Sequence, residues 1–194
     1  MTRCNAVLST IALLTLTSVA AAHPGGGMHN MMDGAIHPLT GIDHLLAIVA
    51  VGAWAALGHG RRVWLVPVTF IASLVVGLIV GRTSGELAMT EALIAFSVVA
   101  VGLLIAGRVA MPTVWACAAA GGFALFHGLA HGAEIPADVS AWHFTLGLIA
   151  ATALLHAAGV VIGLLVRRTG HDSLLRLGGA AVACCGLLIA MGVM

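Results

Sequence analysis

The chain contains no lysine and no tyrosine, and charged residues make up only 8% of its 194 positions. Soluble domains carry about 25% charge, so a water-solvated globule is excluded on this count. A net charge of +1 leaves no basic footprint for nucleic acid. The four cysteines show no CxxC spacing, which argues against a disulfide framework or a dithiol redox centre. There is no Gly-Lys-Ser/Thr phosphate loop and no soluble domain to carry one, so ATP hydrolysis is excluded. HExxH is absent too, which removes the common zinc-protease signature. No internal repeat and no long linker interrupts the chain.

What is present is apolar. The listed hydrophobic types reach 61% and the mean hydropathy is +1.12. A chain of this length cannot bury that much apolar surface in water, whereas a bilayer accepts it. Arg3 followed by an apolar run from Ala6 to about Leu16, then Ala20 and Ala22, has the form of a signal peptide. Cleavage is expected after Ala22, since the run is short for a span of roughly 17–25 residues. The domain division follows: a signal peptide over 1–22, a flexible His- and Met-rich tail over 23–36, and a membrane domain over 37–194. His23 would then carry a free amine beside its imidazole, a weak accessory metal ligand.

Six apolar stretches follow, at about Pro38–Leu57, Val63–Val80, Ala88–Ala106, Thr113–Leu129, Ala141–Val166 and Leu174–Val193. Each can cross a hydrocarbon core of roughly 30 Å as a helix, the form lipid allows because every backbone group is paired internally. The expected fold is all-α: a polytopic bundle of six transmembrane helices after a cleaved signal peptide. With residue 23 outside, Arg61, Arg62, Arg108, Arg167, Arg168 and Arg176 fall inside, and only Arg82 falls outside. That is the positive-inside bias, and it places both mature termini in the periplasm. Trp54, Trp64 and Trp115 near inner ends and Trp142 near an outer end read as interfacial anchors. Gly77/Gly81, Gly128/Gly132 and Gly159/Gly163 are spaced for close helix packing.

Ten histidines outnumber the eight arginines, and they are not scattered. His37-Pro38-Leu39-Thr40-Gly41-Ile42-Asp43-His44 opens the first stretch. Pro38 suits the first turn of a helix, and His37 and His44, seven apart, would share one helical face. Phe126-His127-Gly128-Leu129-Ala130-His131-Gly132-Ala133-Glu134 closes the fourth. His127 and His131 are i,i+4, and Glu134 returns to their face if the helix continues. Glu91 and His143 fall at the same outer side, as accessory candidates. His156 lies about 22 Å along the fifth stretch, as an exit-path ligand, a proton carrier or a packing hydrogen bond. His59 and His171 fall at the inner face as loop residues.

The topology thus gathers His37, Asp43, His44, His127, His131 and Glu134 in the outer half. Ionisable groups in spans are costly and face the bundle interior or a water-filled path. Imidazoles with carboxylates suit a borderline divalent ion such as nickel, cobalt or zinc, and suit magnesium or calcium poorly. Three readings of such a cluster stay open on residue chemistry: metal transport, an intramembrane zinc-type metalloenzyme with Glu134 as base, and a non-transporting metal-binding membrane partner protein. No organic cofactor is called for, the bilayer and the ion are the expected partners, and a homo-oligomer is compatible.

The two motifs carry a resemblance. The chain resembles the HupE/UreJ family of small bacterial membrane proteins over essentially its whole length. The family pattern HPxxGxDH stands at residues 37–44 and FHGxAHGxE at residues 126–134, each with every fixed position present. The resemblance implies secondary transport of nickel across the inner membrane into the cytoplasm, for hydrogenase or urease maturation. It also implies nickel-handling roles for His37, Asp43, His44, His127 and His131.

Overall fold

The computed structural model describes residues 30–58, 60–85, 89–135 and 141–193. These residues form seven α-helices and one short 3₁₀ turn: α1 (Met31–Thr40), α2 (Ile42–Gly58), the 3₁₀ turn (Gly60–Arg62), α3 (Leu65–Ser84), α4 (Thr90–Ala106), α5 (Thr113–Glu134), α6 (Ala141–Arg168) and α7 (Asp172–Ala190). The protein is all-α. By length and composition four helical segments can cross a membrane: Gly60–Ser84, α5, α6 and α7. The α1–α2 pair makes a fifth when taken as one bent span, and α4 is a shorter apolar helix of 17 residues. This is a multi-pass membrane bundle. The signal peptide and His23 lie outside the described residues.

Two expectations about the start of the bundle are corrected. Residues 31–36, assigned to a flexible tail, are helical. Asn30 caps them: its side chain accepts hydrogen bonds from the N–H groups of Met32 (2.8 Å) and Asp33 (3.0 Å), and the Asp33 carboxylate accepts from the Asn30 N–H. This reciprocal box satisfies N–H groups that a helix start otherwise leaves open. Because the helix begins at Met31, Pro38 lies near its C-terminal end and not in a first turn.

The second correction concerns the continuity of the first span. The chain breaks at Gly41, which is extended (φ −82°, ψ 113°), and α1 and α2 meet at an angle of 83°. His37 and His44 therefore do not share a face of one helix. Pro38 cannot donate to the α1 ladder, and Gly41 ends it three residues later. Asp43 and His44 then lie in the first turn of α2.

The helices pack chiefly as α3 on α5, α4 on α7, α2 on α6 and α1 on α6. Glycine decides how closely. A Cβ at Gly128 would collide with the Leu74 carbonyl oxygen, and one at Gly77 with that of Leu125. Gly132 meets Leu78, and Gly81 meets Leu129, in the same way. Across α2 and α6, Gly159 lies against Val49 and Gly52 against the His156 carbonyl. Backbones at this separation gain dispersion contacts that lipid tails cannot match.

Apolar side chains face both ways. Phe70, Val98, Val101, Phe144 and Val160 fill the interior, while Val76, Ile79, Phe96, Leu103 and Leu154 are exposed on the exterior. Trp64, Trp115 and Trp142 are exposed, as interfacial anchors would be. Trp54 is not such an anchor. It is fully buried, and its indole N–H donates to the Val109 carbonyl at 2.9 Å. A buried indole needs a partner, and the α4–α5 connection supplies one. Nearby, Arg108 pairs with Asp172, and Arg167 donates to the Ala56 carbonyl. The arginines thus tie together the end of the bundle opposite the histidine motifs.

Candidate metal site

The break at Gly41 brings the two halves of the first motif face to face. His37 hangs from the end of α1, His44 from the start of α2, and His131 from the last turns of α5. One ring nitrogen from each lies within 4.8 Å of the others. His37 Nε2 and His131 Nδ1 stand 3.1 Å apart. The ring centroids of His131 lie 4.4 Å from those of His37 and 4.5 Å from those of His44. Imidazole nitrogens at about 2.1 Å from an ion stand about 3 Å apart when they bind at right angles. The His37–His131 separation matches that spacing, so these three side chains are the group that could hold one divalent ion.

Asp43 sets the state of His44. His44 Nδ1 lies 2.8 Å from Asp43 Oδ1, within ion-pairing distance, and Nε2 has no hydrogen-bonding partner among the described residues. Carboxylates behind metal-binding histidines fix tautomer and ring orientation in this way. Gly41 belongs to the same device. A Cβ there would stand 2.9 Å from His44 Nδ1 and 3.0 Å from Asp43 Oδ1, so any larger residue disturbs the pair. The glycine of the motif thus serves the bend and the close approach together.

His127 lies one turn deeper on α5. It is buried at 1% exposure, and its ring lies 5.2 Å from that of His44. Its Nδ1–H donates to the Phe123 carbonyl at 2.9 Å, and its Nε2 has no partner among the described residues. His127 is thus next to the three-histidine group but not part of it. Glu134, the last residue of α5, places Oε2 at 3.6 Å from His131 Nδ1 and is about one-third exposed. It occupies the rim. Phe144, fully buried on α6, packs its ring 5.8 Å from that of His37 and walls the site from one side.

A family model described as HupE / UreJ protein matches residues 11–189 of the chain. Protein HupE of Rhizobium leguminosarum bv. viciae is 38% identical over 186 residues, covering 96% of this chain and 97% of that protein. The chain belongs to the HupE/UreJ family. Membership supports a role in nickel or cobalt transport and a non-catalytic protein, against the metalloenzyme reading. No solved structure matches the chain.

The other candidates of this HupE/UreJ chain lie apart from the three histidines. Glu91, in the first turn of α4, and His143, in the first turn of α6, are exposed. His171 is exposed just before α7. His156 is buried at 1% exposure in the middle of α6. Two residues that line the site carried no signal in the sequence. Phe70 and Phe144 are ordinary members of apolar runs, and only the packing shows that the Phe144 ring neighbours His37 and the Phe70 ring neighbours His127, just below the group.

Proposed function

We propose that the protein is a secondary permease that carries nickel, with cobalt as the alternative cargo, across the bacterial inner membrane into the cytoplasm. The observation that carries this reading is the meeting of His37, His44 and His131 from three different helices, with nitrogens within 4.8 Å. Neutral imidazoles select borderline divalent ions. Three ligands leave the remaining coordination positions to water, so binding stays moderate, and a permeation site must release its ion.

The full topology belongs to the same proposal. Residues 1–22 are removed as a signal peptide. α1–α2 form one broken span and α4 completes a set of six, with both mature termini in the periplasm. The three-histidine site then opens to the periplasm, and the cluster of Arg61, Arg62, Arg108, Arg167 and Arg168 faces the cytoplasm, as the positive-inside rule requires. Ions enter by way of the segment preceding Asn30, where His23 is an accessory ligand, lose part of their water to the histidines, and move inward. The membrane potential favours entry by about 2.3 kcal/mol per charge per 100 mV. Delivery to hydrogenase or urease maturation is the use that the family suggests.

The test is uptake of radiolabelled nickel by purified protein in liposomes. Wild type is expected to exceed empty liposomes, and His44→Ala and His131→Ala, folded by their thermal transitions, are expected to lose at least about tenfold of that flux. Wild-type flux no greater than that of empty liposomes contradicts transport. Undiminished flux in both variants contradicts the site.

A further inference from the structure

Beyond the three-histidine group, the rings continue into the bundle. His44 lies 5.2 Å from His127, His127 lies 6.1 Å from Phe70, and Phe70 lies 4.9 Å from His156, centroid to centroid. These residues come from α2, α5, α3 and α6. His156 sits 15 residues from the start and 12 from the end of α6, by subtraction within Ala141–Arg168. At about 1.5 Å per residue that is about 22 Å from one end and about 18 Å from the other, near mid-depth.

The chemistry of His156 repeats that of His127. Its Nδ1–H donates to the Thr152 carbonyl at 2.9 Å, one turn back on its own helix. The bond fixes the neutral tautomer with the lone pair on Nε2. That nitrogen is buried and has no hydrogen-bonding partner among the described residues, and the same holds for His127 Nε2 and for Thr152 Oγ1. Leaving such a group unsatisfied forfeits the hydrogen bond it would make in water, at a cost in free energy. A residue needed only for packing would avoid that cost by being apolar, as its neighbours Leu148 and Val160 are.

We propose that His156 Nε2 is a second, transient ligand for the transported divalent ion, reached from the three-histidine site through His127 and past the ring of Phe70. The inference rests on the transport reading above. Phe70 is 1% exposed, and its ring neighbours those of both His127 and His156. Its ring face attracts a partly dehydrated cation but forms no coordinate bond, so it separates two stations without trapping the ion. One imidazole with a hydroxyl one turn away, Thr152, binds more weakly than three imidazoles. An ion that must leave again toward the arginine-rich end requires that order of affinities.

The test substitutes His156 in the full chain and reads occupancy and flux separately. His156→Cys is purified in detergent and given cobalt in excess of the three-histidine site. A thiolate-to-cobalt charge-transfer band absent from wild type, which keeps Cys117, Cys184 and Cys185 as its own control, is the expected result. Its absence from folded protein overturns the proposal. His156→Gln keeps an amide N–H for the Thr152 carbonyl but lacks an imidazole. It is expected to keep the three-histidine site's nickel affinity, read at one equivalent of nickel, and to lose at least about tenfold of the liposome flux. Wild-type flux in His156→Gln also overturns the proposal, since a purely structural histidine would be replaced by the amide. The cobalt band is an equilibrium reading, so absence of nickel flux in wild type defeats the transport reading alone and leaves His156 to be judged by the band.

Discussion

Asp43 shows how much of the site depends on a residue that need not touch the ion. Its Oδ1 lies 2.8 Å from His44 Nδ1, so a carboxylate charge stands beside that ring. Asp43→Asn keeps the shape and removes the charge beside His44. Nickel affinity, measured by titration of the purified protein, is expected to fall about 10–100-fold, as when a carboxylate behind a metal-binding histidine is lost. Unchanged affinity would move Asp43 out of the site. At this scale the sequence was informative because ionisable residues inside apolar runs are conspicuous. His37, His44, His127 and His131 stand out for the cost of placing them there. Phe70 and Phe144 do not, because an aromatic in an apolar span needs no explanation until its neighbours are known. The division of labour was also hidden. Spacing along one chain puts His127 and His131 on one face, but only the packing of α1 and α2 against α5 sets His131 within the group and His127 below it.

Helices were legible in the sequence and their joints were not. The long apolar stretches became α2 to α7 with ends shifted by a few residues, since uninterrupted Leu, Ala, Ile and Val in lipid leave the helix as the paired form. The break at Gly41 is not legible in the sequence, because one glycine in an apolar run does not by itself end a helix. The capping box at Asn30 was also passed over, in a segment whose composition suggested a tail. The glycines of α3 and α5 give a direct test of the packing. Gly128→Val places side-chain carbon against the Leu74 backbone, which cannot yield as a side chain could. Overpacking of this kind costs about 1–3 kcal/mol, so the thermal transition in detergent is expected to fall. Gly122→Ala, on the same helix with no atom within 4 Å of the new carbon, is expected to leave the transition within about 0.5 kcal/mol of wild type. Equal effects of the two substitutions would contradict the close α3–α5 seam.

The whole molecule inverts the soluble plan. Its exterior is apolar, and among the described residues its most buried polar side chains are Thr152, Ser97, His127, His156 and His131. Arg108 and Arg167 lie at one end and the two histidine motifs at the other, the asymmetry that the loop arginines of the sequence suggest. The same asymmetry fixes the orientation to be tested. Cysteine placed at His143 is expected to react with a membrane-impermeant thiol reagent added to spheroplasts, and cysteine placed at Arg168 only after the membrane is opened. Both positions are exposed in the structure. The reverse pattern would invert the direction of transport. The central claim, that three histidines from three helices hold the transported ion, is tested most directly by X-ray absorption at the nickel edge. Protein loaded with one equivalent is expected to show multiple-scattering from imidazoles bound to nickel, and His131→Ala is expected to lose one of them. A nickel shell without imidazole, or one that His131→Ala leaves unchanged, would contradict it.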